Sequence, residues 1–217
     1  MKLVVFPGGA DPRTTYKDVY TILEDEAKRR AYTEFILKNF PGHYSYDDCS
    51  WFSMKETVKI IYSSISELEK KEEFYIVLCR SVGCNPFIEF LKSIPKNVTY
   101  LKKVVLWGPS PYYLWYKLLK NDFLGSAGEF IKKGFRVCSE LFDEIYPLEL
   151  SISEISKELP CNIYITSGEL DEFYPEHFRQ LLMAINTNPK IILAERIRGE
   201  RHAIDKYNKE YIDLIFE

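Results

Sequence analysis

The sequence lacks an excess of charge of either sign. Its 217 residues carry 29 Lys+Arg against 32 Asp+Glu, which gives a formal net charge of −3. Proteins that bind a nucleic-acid backbone need an excess of basic side chains, and the short pairs Lys102-Lys103 and Lys132-Lys133 are too small for such a surface. The composition therefore argues against a nucleic-acid partner.

Long apolar runs are also absent. No stretch reaches the roughly 20 apolar residues that a membrane-spanning helix needs. At the N-terminus only four apolar residues separate Lys2 from Pro7, too few for the core of a secretory signal peptide. We therefore expect no membrane span and a cytoplasmic location.

Cysteine is scarce and lacks the spacing of a metal site. The five cysteines are an odd number, and Cys79 and Cys84 are separated by four residues rather than two. Structural zinc sites use closely spaced cysteines, and disulfide frameworks use an even number of them. We predict reduced, mostly buried thiols and no metal ligands.

What the sequence does contain is typical of one globular domain. It is 46% hydrophobic and 28% charged, and we see no linker, repeat or shift of composition over residues 1–217. Apolar runs alternate with amphipathic segments, the pattern of an α/β fold: a mostly parallel six-stranded sheet with helices on both faces. The predicted strands are Leu3 to Phe6, Glu34 to Lys38, Phe74 to Cys79, Val104 to Trp107, Asn162 to Thr166 and Lys190 to Ala194. The predicted helices are Tyr16 to Arg30, Met54 to Lys70, Gly83 to Ser93, a long stretch from Tyr112 to Leu159, Pro175 to Ile185 and Ala203 to Ile215.

One connection is much longer than a crossover requires. About 50 residues, 109–160, separate the fourth and fifth predicted strands, whereas a crossover between parallel strands needs roughly a dozen. The segment opens with an aromatic cluster that includes Tyr112, Trp115 and Tyr116. This pattern indicates either a crossover helix packed on the sheet or a small helical cap over a substrate pocket, and both can hold together.

The third predicted strand runs directly into a candidate nucleophile. It is followed by Arg80, Ser81, Val82 and Gly83 and then by a helix. A serine in a sharp strand-to-helix turn projects its hydroxyl out of the sheet, and the turn needs small residues two positions before and after it. Cys79 and Gly83 occupy those positions, so the motif reads C-R-S-V-G where G-x-S-x-G is usual. An N-cap serine is the alternative interpretation.

Two partners for this serine follow later strands. A nucleophilic serine needs an imidazole to accept its proton and a carboxylate to orient the imidazole. Asp171 follows the fifth predicted strand and His202 the sixth. Loops after parallel strands share one edge of a sheet, so Ser81, Asp171 and His202 are expected at the same edge. A helix-leading aspartate and a surface histidine are the alternatives.

The first strand supplies candidate hydrogen-bond donors for a developing oxyanion. It ends in Pro7, Gly8 and Gly9, where missing side chains let backbone amides approach a substrate closely. We predict an oxyanion hole formed by the N–H groups of Gly9 and Val82, with Ala10 as the substitute for Gly9. A simple glycine turn is the alternative.

Together these motifs resemble those of the α/β-hydrolase superfamily over nearly the whole chain. Residues 4–9 are similar to the family's oxyanion strand and loop, 35–43 to its next strand and Pro-Gly-His turn, and 79–83 to its nucleophile elbow. Segments 168–171 and 199–202 are similar to its acid and base positions. The first strand corresponds to the family's third, which suggests a compact form lacking the usual N-terminal strands.

The resemblance implies a hydrolase that cleaves an ester, thioester or amide of a small acyl substrate through an acyl-serine intermediate, without a cofactor. Arg80 beside the nucleophile and the aromatic residues Tyr112, Trp115 and Tyr116 are candidate substrate contacts. A non-catalytic ligand-binding or scaffold protein on the same fold is the alternative function. The sequence leaves the oligomeric state open, including a homo-oligomer.

Overall fold

The computed structural model describes residues 1–14, 17–47, 50–109, 129–132, 135–138, 140–145, 155–171, 182–201 and 209–217. Its strands are β1 (Lys2–Phe6), β2 (Glu34–Leu37), β3 (Tyr75–Arg80), β4 (Leu101–Trp107), β5 (Glu129–Lys132), β6 (Phe135–Cys138), β7 (Asn162–Thr166) and β8 (Ile191–Leu193). Its helices are α1 (Lys17–Arg29), α2 (Met54–Lys70), α3 (Cys84–Lys92), α4 (Leu141–Ile145) and α5 (Lys209–Phe216), and residues 182–187 are also helical.

Six of the strands form one parallel sheet, in the order β2-β1-β3-β4-β7-β8. The prediction of a mostly parallel six-stranded sheet is therefore confirmed. The predicted strand positions agree within a few residues, and the largest difference is that β4 begins at Leu101 rather than Val104. The difference arises because Lys102 and Lys103 interrupt the apolar pattern, although β4 stays paired with β3 on both sides of a register shift at this point.

Helices cover both faces of the sheet because the strand side chains alternate between two apolar clusters. Val4, Val77 and Leu106 join a core with side chains of α2 and α3 on one face. Their neighbours in sequence join a second cluster with α1 and α5 on the other face, and these include Val5 and Leu78. Both faces are buried, as expected for parallel strands with crossover helices.

The connection between β4 and β7, residues 109–160, is called the insertion below. The helix predicted from Tyr112 to Leu159 is wrong for part of it, because β5 and β6 pair as an antiparallel ribbon. The short helix α4 follows the ribbon. Phe135, Val137 and Leu141 are buried in the core cluster that contains α2 and α3, so the insertion packs against the domain core.

The insertion also helps to start helix α2. Ser53 is its N-cap and its hydroxyl accepts a hydrogen bond from the Glu56 N–H at 3.1 Å, the contact expected where a serine at a helix start precedes a glutamate by three residues, as in a capping box. Glu144 of α4 lies against the same helix end. Its carboxylate accepts the Ser53 hydroxyl at 2.8 Å and the Met54 N–H at 2.6 Å. Amides at a helix start have no partner inside the helix, and here two segments distant in sequence provide the acceptors.

Within the part of the chain that the structure describes, no helix combines the length and apolar character needed to cross a membrane.

We predict that Ser53→Ala lowers the free energy of unfolding by about 1 kcal/mol, because the Glu56 amide loses its cap and Glu144 loses a donor. Urea unfolding measures the change. Lys59→Ala is the matched control on the same helix, since it removes only an exposed ion pair with Glu56 and should change stability by less than about 0.5 kcal/mol. Equal effects of the two substitutions would contradict the capping role.

Candidate active site

The strand register brings several loops to one edge of the sheet. Cys79 of β3 lies opposite Phe6 of β1 and Leu106 of β4, and Leu106 in turn lies opposite Ile165 of β7. The carboxyl ends of these four strands are therefore nearly level. In open parallel sheets this edge is where ligands bind, and Ser81, at the end of β3, lies between the loops that follow β1 and β4.

Ser81 has the backbone conformation of a nucleophile elbow. Its φ is 45°, in the left-handed region that a residue with a side chain rarely adopts. The turn Ser81–Gly83 leads from β3 into α3 without a break. Residues held in such strained conformations are concentrated at functional sites. The elbow forms although Cys79 replaces the usual glycine, and Cys79 is completely buried.

Gly83 is required at this turn for space. A Cβ at Gly83 would lie 2.3 Å from the carbonyl oxygen of Pro7 and 2.6 Å from that of Phe6. Real Cβ atoms do not approach backbone so closely. The missing side chain thus allows the turn after β3 to contact the end of β1.

We predict that Gly83→Ala destabilises the fold by about 1 to 3 kcal/mol, the usual cost of overpacking, because the ends of β1 and β3 must move apart. Urea unfolding gives the free energy. A circular dichroism spectrum should show that the variant still folds. A variant as stable as the wild type would contradict the close approach.

The loop after β1 lies directly on the elbow. A Cβ at Gly8 would lie 3.3 Å from the Cβ of Ser81 and 4.0 Å from its Oγ. A Cβ at Gly9 would lie 3.0 Å from a methyl group of Val82 and 3.3 Å from the ring of Phe135. The structure therefore brings Gly8, Gly9, Ser81 and Val82 together, and adds Phe135 of the insertion as a neighbour that sequence reasoning missed.

His43 is a second residue whose contacts the sequence did not reveal. Its side chain is completely buried, and its Nε2 lies 2.9 Å from the carbonyl oxygen of Gly8. Its Nδ1 accepts the Phe40 N–H at 3.0 Å. Both ring nitrogens are thus occupied. The available signal was the Pro41-Gly42-His43 turn after β2, which shares the sheet edge with Gly8.

Asp11 forms a second link between the same two loops. One carboxylate oxygen accepts the backbone N–H groups of Arg13 and Thr14 at 2.9 Å, and the other accepts the N–H of Ser45 at 2.6 Å. Burial raises the pKa of this carboxyl, but the hydrogen bonds from Ser45, Arg13 and Thr14 outweigh it and the pKa is lowered. The ionised carboxylate therefore ties the loop after β1 to the loop after β2.

Burial is the main cause of an unusual pKa at His43. It lowers the pKa to about 4, and the hydrogen bond to Gly8 opposes this effect only in part. An unfolded chain has a histidine pKa of about 6.5. The folded protein therefore binds fewer protons at His43 than the unfolded chain does between these values, so stability decreases as the pH is lowered across that window.

We predict a loss of about 2 kcal/mol from His43 when the pH falls from about 7.5 to about 5, calculated from these two pKa values. The contribution is fully present above about pH 6.5 and disappears as the pH approaches 4. Urea unfolding at the two pH values measures it. His43→Gln, which cannot titrate, serves as the reference, and a wild type with the same pH dependence as this variant would contradict the buried neutral histidine.

The loop that carries Asp171 is paired with the segment that leads to His202. Gly168 forms a parallel bridge with Ile197, and the Leu170 N–H donates to the Glu200 carbonyl at 2.8 Å. A Cβ at Gly168 would lie 2.1 Å from that same oxygen. Asp171 itself is buried, with 4% of its surface exposed. The segment up to Arg201, the last described residue before His202, is thus in contact with the loop that carries Asp171.

Five further residues are predicted to belong to the site. His202, Tyr112, Trp115 and Tyr116 lie outside the described residues, and their roles stay predictions. Arg80 is buried, and its guanidinium lies 5.5 Å from the centre of the Tyr20 ring of α1. This contact gives Arg80 a packing partner in the fold, and its contact with substrate stays a prediction.

The described cysteines Cys79, Cys84, Cys138 and Cys161 are free thiols. Burial raises the pKa of the Cys79 and Cys84 thiols well above the ordinary value, so both side chains next to the elbow stay protonated. Among the residues that the structure describes, no group of three or more His, Cys, Asp or Glu side chains is arranged to hold a metal ion.

Comparison with solved structures identifies the fold. A protein of Agrobacterium vitis S4 that is provisionally named a hydrolase has a TM-score of 0.69 and 17% identity over 99% of this chain and 85% of its own. Mouse α/β hydrolase domain-containing protein 10 has a TM-score of 0.62 and 15% identity, over 99% and 86%. The Paleococcus ferrophilus monoacylglycerol lipase has a TM-score of 0.62 and 18% identity, over 99% and 92%.

The chain therefore has the α/β-hydrolase fold, and the likeness covers it from end to end. The predicted resemblance is confirmed at the level of the fold. No protein-family model matches the sequence, and the search of curated proteins found no match.

Proposed function

We propose that the protein is a serine hydrolase that cleaves an ester or thioester of a small acyl substrate through an acyl-serine intermediate. The observation that carries this proposal is the strained Ser81 at the central strand end, with Gly8 and Gly9 packed against it. A serine in this setting combines an accessible hydroxyl with nearby backbone donors. Structural neighbours with hydrolase and lipase names support the class of reaction.

The proposed reaction is acyl transfer followed by hydrolysis. Ser81 Oγ attacks the acyl carbon while His202 accepts the hydroxyl proton, and Asp171 orients and stabilises the imidazolium. The N–H groups of Gly9 and Val82 receive the oxyanion. The bond to the leaving alcohol or thiol then breaks, and His202 returns the proton to that leaving group. Water, activated by the same imidazole, attacks the acyl-serine and releases the acid.

The assignment of His202 as the base is supported by the occupied ring nitrogens of His43 and by the residues that precede His202 in the chain. His43 cannot accept a proton from Ser81, because its Nδ1 already accepts the Phe40 N–H and its Nε2 is bound to Gly8. The segment ending at Arg201 is paired with the loop of Asp171. A base at position 202 would directly follow this paired segment, which supports the assignment.

We predict that Ser81→Ala lowers kcat for p-nitrophenyl acetate by on the order of 10³-fold or more, because the covalent intermediate cannot form. The wild type should be labelled by a fluorophosphonate at Ser81, as mass spectrometry of the digested protein would show. Asp171→Asn should retain the label but react much more slowly, since the imidazole loses the carboxylate that fixes its tautomer.

The matched control is Ser53→Ala, which removes a serine hydroxyl from the N-cap of α2 and should leave kcat unchanged. A wild type that neither turns over the ester nor takes the label would contradict the proposal. That result would favour the alternative, a ligand-binding or scaffold protein that uses the same fold.

A further inference from the structure

We infer that His43 is a positioning residue that holds the Gly9 N–H in the orientation needed to bind the oxyanion. The inference rests on the proposed function for its catalytic meaning. His43 follows β2 and Gly9 follows β1, so the contact joins two loops that are distant in sequence. The residue acts through the Gly8–Gly9 peptide and has no part in the proton transfers described above.

The hydrogen bonds of the imidazole define its tautomer. The Phe40 N–H donates to Nδ1 at 3.0 Å, so Nδ1 carries the lone pair. A neutral ring then carries its proton on Nε2. Nε2 lies 2.9 Å from the Gly8 carbonyl oxygen, which has only lone pairs to offer. His43 therefore donates to Gly8, and Phe40 determines that it can do so.

Peptide geometry transmits this bond to the proposed oxyanion donor. The Gly8 carbonyl and the Gly9 N–H belong to one planar peptide unit and point in nearly opposite directions in the trans form. Holding the carbonyl toward His43 consequently directs the N–H away from it. The restraint matters because two successive glycines have little conformational preference of their own.

The imidazole is a fixed support for this bond. Its ring packs between Phe40, with ring centres 5.6 Å apart, and Phe135, at 5.0 Å. The His43 N–H also donates to the Phe40 carbonyl, and Asp11 holds the neighbouring Ser45. A donor that is positioned before the reaction avoids reorganisation in the transition state, which is the main source of oxyanion stabilisation.

Two substitutions at His43 separate its hydrogen bonds. The shorter amide of His43→Asn can occupy the place of Nδ1 and accept from Phe40, but it does not reach Gly8. The longer amide of His43→Gln can reach Gly8. Both variants lose the ring, so they share its packing cost. We expect His43→Asn to lower kcat at least about 10-fold with little change in KM, whereas His43→Gln retains most of kcat. Loss of a whole donor sets the upper range, about 10²- to 10³-fold.

The control for lost stability is Tyr75→Phe, which removes a buried hydrogen bond to Glu69 at the opposite end of β3. We expect it to lower the free energy of unfolding and to leave kcat unchanged. Equal kcat values for His43→Asn and His43→Gln would overturn the inference. It would also be overturned if the loss of kcat in each variant were fully explained by a smaller fraction of folded protein.

A measurement independent of turnover tests the same orientation. ¹⁵N relaxation should give the Gly9 amide an order parameter near 0.85 in the wild type and in His43→Gln, and below about 0.6 in His43→Asn. A rigid Gly9 amide in His43→Asn would overturn the inference whatever the activity. Failure of the proposed function is distinguished by a wild type that lacks the fluorophosphonate label on Ser81.

Discussion

The close contact between the end of β1 and the turn after β3 is the constraint on which the site depends. Gly83 permits it, because any side chain there would collide with the carbonyl oxygens of Phe6 and Pro7. Once these backbones are in contact, Gly8 lies beside Ser81 and Gly9 beside Val82. The proposed nucleophile and the two proposed backbone donors thus come from two strands that are neighbours in the sheet and some 70 residues apart in sequence.

A second layer of contacts supports this arrangement from the loop after β2. His43 and Asp11 each link this loop to the loop after β1. The neutral His43 ring donates to the Gly8 carbonyl, whereas the Asp11 carboxylate accepts the Ser45 N–H. Burial keeps the imidazole neutral, while hydrogen bonds keep the carboxylate ionised. The glycine-rich loop therefore gains rigidity from its surroundings, since its own residues supply almost none.

The sheet and the turn at Ser81 could be predicted from the sequence because both depend on local patterns. Buried parallel strands are continuous apolar runs, and a serine between a strand and a helix needs small neighbours at fixed distances. The β5–β6 ribbon was missed because its strands are only four residues long, too short for a clear alternating pattern. Phe135 carries no local sign that it will lie against His43 and Gly9.

The role of His43 could not be predicted for a related reason. The Pro-Gly-His turn placed the residue at the correct edge of the sheet, but a hydrogen bond between two loops depends on the relative height of β1 and β2. That height follows from the register of the whole sheet. The start of α2 illustrates the same limit. Ser53 caps the Glu56 N–H, which is a local contact. Glu144, which accepts the Ser53 hydroxyl, lies 91 residues further along the chain and carries no local sign of this contact.

The attachment of Glu144 to the first turn of α2 has a consequence for how this protein can diversify. The insertion contributes an acceptor for the first amide of a core helix, and Arg136 exchanges backbone hydrogen bonds with Gly42 and Phe52. Replacing the whole insertion would leave the Met54 and Phe52 N–H groups without their hydrogen-bond acceptors. Single replacements elsewhere in the segment would keep these hydrogen bonds, so the insertion can vary residue by residue more readily than it can be exchanged as a whole.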